Sequence, residues 1–457
     1  MSRICSFFLF AMALAAEPAD WIWSGRYVIT EDAGHRVIAN GAVAIRGDRI
    51  VGVGTKSQID ARFQAKQRLD RPDAILAPGL IDTHTHAAMS LFRGIADDKN
   101  LQDWLNNFIF PAEAKNVNAE FVRWGARLGC LEMLLGGTTT FTDMYYFEDV
   151  VAEAAKEAGM RGVLGETIIG FPAPDARTPA DALRFTEKYL QRFHNDSLIV
   201  PAVAPHALYT NSEETLKAAC ALANKYGAPL VIHLSETKKE NDDEQAKRHR
   251  SPTQTLDTLG VLGGRTVAAH CVWMSDADLR ILKLRNVGVA HCPSSNMKLA
   301  SGVAPVVKML AMGINVGLGP DGPAGSNNDF NMFEEMDLAA KLQKVTTLNP
   351  QALPAATALE MATVRGARVL GLEKEIGSLE TGKRADLITV RLDRPNAQPL
   401  YDAISQMVYA LKASDVRDVM VNGRPVVRDA KILTLDENQI LQKAAEYGLR
   451  VAASLKR

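Results

Sequence analysis

The segment Ala77-Pro78-Gly79-Leu80-Ile81-Asp82-Thr83-His84-Thr85-His86 is an apolar run that ends in two histidines separated by one residue. Along a β-strand, residues i and i+2 point to the same face. His84 and His86 can therefore aim both imidazoles at one point, as a metal ion requires. In a parallel α/β barrel, the C-terminal ends of the strands are where the chemistry is done.

Outward from this strand, apolar runs alternate with amphipathic stretches such as Glu213 to Tyr226, a pattern of parallel βα units. Eight candidate strands follow in order, ending at His84-Thr85-His86, Thr140 to Asp143, Val163 to Glu166, Val203 to His206, Val231 to His233, Val267 to His270, Val287 to His291 and Val316 to Asp321. Eight repeats predict a (β/α)8 TIM-like barrel. A doubly wound sheet is the alternative, but its fingerprint has one formal match, Gly317-Leu318-Gly319-Pro320-Asp321-Gly322. That match holds a proline and an anion, and it does not open a helix, so it offers a phosphate few free N–H groups.

The two ends of the chain read differently. Tyr27 to Ile29, Ala42 to Ile45 and Ile50 to Val53 are short strands, with Gly47-Asp48 as a hairpin turn; Ala385 to Val390 and Val416 to Val427, turning at Asn422-Gly423, repeat the pattern near the other end. One small β-sandwich built from both termini is expected, over 17–76 and 375–457, with the barrel over 77–374 and a helix near Glu437 to Leu455. Residues 1–16, a short apolar stretch behind Met1-Ser2-Arg3, read as a secretory signal too short to span a membrane. Such a leader implies a periplasmic or secreted protein; without it the protein is cytoplasmic.

The chain has 457 residues, a net charge of -1 and 47% hydrophobic residues. That balance gives no electrostatic reason for nucleic-acid binding, and no later segment is apolar for long enough to cross a membrane. A small-molecule partner is expected. Cys5 leaves with the leader, and Cys130, Cys220, Cys271 and Cys292 are too scattered for a disulfide framework.

Of nine histidines, six close candidate strands: His84, His86, His206, His233, His270 and His291; His35, His194 and His249 lie in polar surroundings. Glu236, three residues after His233, and Asp321 add carboxylates. His84, His86, His233 and Asp321 offer nitrogen and oxygen donors without thiolate, which suits zinc and also iron(II), manganese or nickel. Water held by such an ion loses its proton near neutral pH. Glu236 is placed to carry that proton, and His270, on the next strand, to steady the attacking oxygen.

Together these segments resemble the amidohydrolase superfamily: Pro78 to His86, His233-Leu234-Ser235-Glu236, Ala269-His270-Cys271 and Gly319-Pro320-Asp321-Gly322. The nearest branch is the 5-methylthioadenosine/S-adenosylhomocysteine deaminases, related to triazine chlorohydrolases and guanine deaminases. Leu91-Phe92-Arg93-Gly94, Trp104, Pro111-Ala112-Glu113, Gly137 to Met144, His291-Cys292-Pro293-Ser294-Ser295-Asn296 and Gly377 to Leu387 match that branch too. The resemblance implies one divalent metal per subunit on His84, His86, His233 and Asp321, most simply zinc. It implies that Glu236, His270 and Asp321 are catalytic, with Glu236 moving a proton to the purine ring. It further implies that Glu113 holds ribose hydroxyls, that His206 contacts substrate, that the His291 motif shapes the pocket wall, and that the protein is a homo-oligomer.

One departure concerns substrate choice. The branch members that grip an amino-acid tail use arginines after the third barrel strand, where this chain has Glu166. Arg177 reads equally as a second arginine or as an exposed loop cation. The leading expectation is deamination of an adenine-type nucleoside: 5'-methylthioadenosine, S-adenosylhomocysteine or adenosine. A deaminase or chlorohydrolase acting on guanine, a pterin or a triazine is the alternative. A binuclear amide hydrolase needs a lysine on the fourth barrel strand, which Val203 to Tyr209 lacks. An inactive scaffold would have lost ligands that are all present here.

Overall fold

In the computed structural model, which describes residues 16–455, the first strands of the chain pair with the last. β1 (Glu17–Ile29), β2 (Val37–Arg46), β3 (Arg49–Thr55) and β4 (Phe63–Pro78) lead into the barrel. The barrel strands are β5 (Leu80–Thr85), β6 (Thr138–Tyr145), β7 (Arg161–Ile168), β8 (Ile199–Pro205), β9 (Leu230–Leu234), β10 (Thr266–His270), β11 (Gly288–His291) and β12 (Val316–Leu318). β13 (Leu387–Arg391), β14 (Val416–Val421), β15 (Arg424–Arg428) and β16 (Lys431–Ile432) follow, and the chain's last helix runs over Glu437–Leu455. Except for Ala16, the leader lies outside the described residues.

β5 to β12 close into a parallel barrel, in the order expected. Every residue of β5, β6 and β7 is buried, because helices cover the outside and side chains fill the inside. Ile81, Met144, Val163, Val231 and Val267 form part of the interior plug. The last strand stops at Leu318, short of the expected Asp321. Pro320 has no N–H for a ladder, and Asp321 takes φ +65 before making a single bridge to Thr85.

The remaining strands form one eight-stranded sheet, β16-β15-β14-β13-β4-β1-β2-β3. β4 joins the two terminal pieces: it runs parallel to β1 and antiparallel to β13, with Pro78 opposite Leu387. The hairpin turns of the two pieces also meet. Asn422 and Gly423 both have positive φ, as a two-residue hairpin turn of this type needs, and a Cβ on Gly423 would lie 2.1 Å from the Gly47 carbonyl oxygen. Arg161 at the start of β7 reaches both carboxylate oxygens of Asp386, at 3.0 and 3.3 Å, tying the barrel to this sheet. Cys130, Cys271 and Cys292 are buried and Cys220 is half-buried, all as free thiols.

Candidate active site

The strand ends bring the sequence-predicted residues together. His84 and His86 leave β5, and Asp321 Oδ1 lies 3.3 Å from His84 Nε2 and 3.2 Å from His86 Nε2. The donor atoms of His84, His86 and Asp321 all lie within 4.8 Å of one another, as do those of His84, His233 and His270. Backbone carbonyls orient two of the rings. His86 Nδ1 lies 2.7 Å from the Met144 oxygen, and His233 Nδ1 lies 2.8 Å from the His206 oxygen. A carbonyl can only accept, so each Nδ1 carries a proton, which makes Nε2 the nitrogen that can face a metal. Burial and the neighbouring His206 and His84 hold the His233 imidazole well below its usual pKa, in the neutral form that a metal binds.

His84 is fully buried, yet neither of its ring nitrogens has a hydrogen-bond partner. Such an orphan is expensive unless something else occupies its lone pair. Asp321 adds an anion: burial works against its charge, but the close approach of the His84 and His86 rings holds its carboxyl well below the usual range. Imidazole nitrogens, one carboxylate and an orphaned buried nitrogen fit a divalent metal.

Glu236 and His270 complete the wall. Glu236 is 2% exposed and follows Ser235, whose φ is +50; its Oε2 lies 3.9 Å from His270 Nε2. Burial raises the Glu236 carboxyl above its ordinary pKa, and the nearby His270 offsets part of that rise. His270 closes β10 at φ +70, and its Nδ1 lies 3.0 Å from Asn296 Oδ1.

A cavity opens over these groups, lined among others by His86, His233, Glu236, His270 and Asp321, with aromatic and apolar side chains around a few convergent polar groups, as small-molecule sites have. Glu113, on the helix Phe110–Asn116, lines the same cavity, as do Trp104, Phe110, Tyr145 and Tyr146. Burial pushes its carboxyl up to about 7, against the pull of the Tyr145 hydroxyl, which donates to Glu113 Oε1 at 2.8 Å. His206 lines the cavity as well, with Nδ1 3.1 Å from Thr210 Oγ1. Arg177 stands apart: it is exposed in the loop before the helix Pro179–Phe193 and is not among the lining residues. Glu166 is buried on β7, where it accepts the Glu148 N–H at 2.9 Å. His291 is fully buried without a partner for either nitrogen, and His35, His194 and His249 are exposed.

Three supporting residues escaped the sequence reading. Ser295 Oγ donates to Asp321 Oδ2 at 2.6 Å, Asn296 holds His270, and Tyr145 holds Glu113. The first two belong to the His291 motif, which therefore does more than shape the wall. Its run of small polar residues beside a strand end was the available signal.

The amidohydrolase family model matches residues 75–426. A 5-methylthioadenosine/S-adenosylhomocysteine deaminase of Syntrophus aciditrophicus is 46% identical over 96% of this chain and 99% of its own length. A 5'-deoxyadenosine deaminase of Methanosarcina barkeri is 43% identical over 94% and 98%. Among solved structures, an adenosine deaminase from Xanthomonas campestris with bound zinc superposes with a TM-score of 0.94 at 37% identity, covering 96% of this chain and 100% of that one. With the barrel, the histidine cluster and these likenesses in agreement, the chain belongs to the amidohydrolase family.

Proposed function

We propose that the protein is a hydrolytic deaminase of adenine-type nucleosides that works with one divalent ion per subunit, held by His84, His86, His233 and Asp321. The observation that carries this reading is that one cavity gathers the His-Asp cluster with its neighbours Glu236 and His270 and also a further buried carboxyl, Glu113. Zinc is the simplest occupant of the cluster, with iron(II), manganese and nickel also suited to these donors. Such an ion lowers the pKa of water to near neutrality.

The protein's own groups handle the protons. Glu236 takes a proton from the attacking water and passes it to the ring nitrogen beside the amine-bearing carbon. A carboxyl raised by burial holds a proton more readily than an exposed one, which suits it to accept and return one. The new C–O bond forms as His270, its Nδ1–H fixed on Asn296, steadies the attacking oxygen through Nε2. Asp321 carries the second water proton to the amine, the C–N bond breaks, and ammonia leaves with an inosine-type product. Glu113, with Oε1 engaged by Tyr145, accepts hydroxyls of the ribose. His206 contacts the purine. Arg177, exposed in its loop, has a role only if that loop closes over a charged tail.

A deaminase or chlorohydrolase acting on guanine, a pterin or a triazine is the second reading, and Glu113 speaks against it because those substrates carry no ribose. β8 has no lysine to bridge a second metal, so one ion per chain is expected. Homo-oligomers are proposed as well, and light scattering tests them. Among the described residues no helix is long and apolar enough to cross a membrane. Export rests on the 1–16 leader, which N-terminal sequencing of the mature protein tests.

The deciding experiment measures ammonia release from 5'-methylthioadenosine, S-adenosylhomocysteine, 5'-deoxyadenosine, adenosine, guanine, a pterin and a triazine, with metal content determined on the same preparation. Turnover of the nucleosides is expected, with about one ion per chain. Turnover of guanine, pterin or triazine without any nucleoside overturns the reading.

A further inference from the structure

Glu240 has no place in the chemistry above, yet it is built into the segment that carries Glu236. It lies in the first turn of the helix Lys238–Arg248 and is 6% exposed. Its Oε1 accepts the Ser235 N–H at 3.1 Å and its Oε2 accepts the Glu236 N–H at 2.9 Å. In an ordinary capping box, a glutamate at this helix position takes the N–H of the cap residue itself. Here the cap is Thr237, whose hydroxyl accepts the Glu240 N–H at 3.2 Å, while the Glu240 carboxylate reaches past it to the two residues upstream.

The peptide unit between Ser235 and Glu236 is thereby held at both ends. Its N–H goes to Glu240, and its carbonyl accepts the Val272 N–H at 3.0 Å and the Trp273 N–H at 2.9 Å. Val272 and Trp273 follow directly on His270 and Cys271, which are themselves in the left-handed region, as Ser235 is. Three non-glycine residues in that region relax unless the surroundings fix them. Glu240 is also costly to bury. Cations of its own helix are engaged elsewhere, Lys238 with Asp242, Lys239 with Asp243 and Arg248 with Glu244 and Glu213, and the carboxyl of Glu240 is matched by backbone N–H groups.

We propose that Glu240 is a positioning residue whose carboxylate, by clamping the Ser235 and Glu236 amides, fixes the acid/base carboxyl of Glu236 at its 3.9 Å spacing from His270. The inference rests on Glu236 as the proton carrier of the reading above. A clamp on that residue acts on the chemical step and leaves substrate and metal binding alone.

The test is a double-mutant cycle on the metal-replete enzyme with 5'-methylthioadenosine. Glu240→Ala lowers kcat by about 10- to 100-fold, the scale of a displaced catalytic group, with KM and metal content unchanged. Glu240→Gln, which keeps one acceptor oxygen and nearly the same volume, falls between the two and covers the case in which the alanine variant does not fold. In a Glu236→Gln background, neither change lowers the residual rate further, because there is no longer a proton carrier to position. Losses of equal factor in both backgrounds, or an unchanged kcat with a lowered melting temperature, overturn the inference and leave Glu240 a structural cap. A Glu236→Gln enzyme with wild-type kcat overturns the proton-carrier reading itself. A dead Glu236→Gln enzyme beside a wild-type Glu240→Ala enzyme refutes the clamp alone.

Discussion

Ser295→Ala isolates one hydrogen bond behind Asp321, a proposed ligand of the metal. Asp321 divides its oxygens: Oδ1 faces His84 and His86 at 3.3 and 3.2 Å, and Oδ2 receives the Ser295 hydroxyl at 2.6 Å. Ser295 is fully buried, so water does not replace the lost donor, and a buried anionic oxygen is left unsatisfied. A hydrogen bond to a charged group contributes about 1.5–3 kcal/mol. At about 1.4 kcal/mol per tenfold, metal affinity should fall by about 10- to 100-fold, in the range seen when groups behind metal ligands are removed. The assay is competition for the ion by a chelator of known affinity, with kcat/KM measured at saturating metal. Ser294→Ala is the control, because Ser294 contacts Glu335 through its N–H at 3.2 Å and lies outside the cluster. If Ser295→Ala binds metal within about twofold of the wild type, the oxygen shared out by Asp321 is not what holds the ion, and the assignment of Asp321 as a ligand falls with it.

Glu113→Gln should raise KM for nucleosides by about 10- to 100-fold, the cost of weakening charged hydrogen bonds to hydroxyls, while leaving any turnover of free bases unchanged. Equal effects on both would remove Glu113 from the sugar. A second expectation concerns stability. Glu31 is 3% exposed, and burial together with the nearby Glu360 pushes its carboxyl from the usual 4.5 up to about 7. The folded state therefore holds this proton more tightly than the unfolded one. Stability from this group is full below the unfolded value and is lost as pH rises through about 7, with a penalty approaching about 3 kcal/mol. Glu31→Gln should raise the melting temperature above pH 7 and leave it almost unchanged at pH 4.5; a uniform shift across that range would exclude Glu31 as the cause.

The barrel was legible because parallel strands buried on both faces read as apolar runs, and because five of the candidate strands end on histidines, six in all, that have no reason to sit there for packing alone. The His/Asp cluster and the neighbouring Glu236 could be read for the same reason. β4 was harder. Gln64, Lys66, Gln67, Arg68, Asp70 and Arg71 give its first half the look of a polar linker, although it pairs with β1 over that length. The end of β12 was overextended, since the turn at Gly319-Pro320 that swings Asp321 back onto β5 depends on contacts across the barrel rather than on local pattern. Ser295, Asn296 and Glu240 escaped for a related reason. Serine and asparagine beside a strand end read as turn residues, and a glutamate in the hydrophilic helix Lys238–Arg248 reads as part of a solvated face. Their roles exist only once distant segments have met.

The pairing of β4 with β13 sets a timetable for biosynthesis. The ribosome releases β1 to β4 early, and the edge that β13 will cover stays bare while the entire barrel is made. At about 5–20 residues per second that interval is on the order of tens of seconds, long enough for an uncovered strand edge to find a neighbour on the same polysome. The waiting stretch, Ala74 to Pro78, is apolar, and only the charged first half of β4 beside it discourages pairing between chains. Completion of the sheet, and with it the buried Arg161–Asp386 pair under the barrel, is thus among the last events in making the enzyme. Truncation from the C-terminus should be felt at the opposite end of the chain, as aggregation of its first strands.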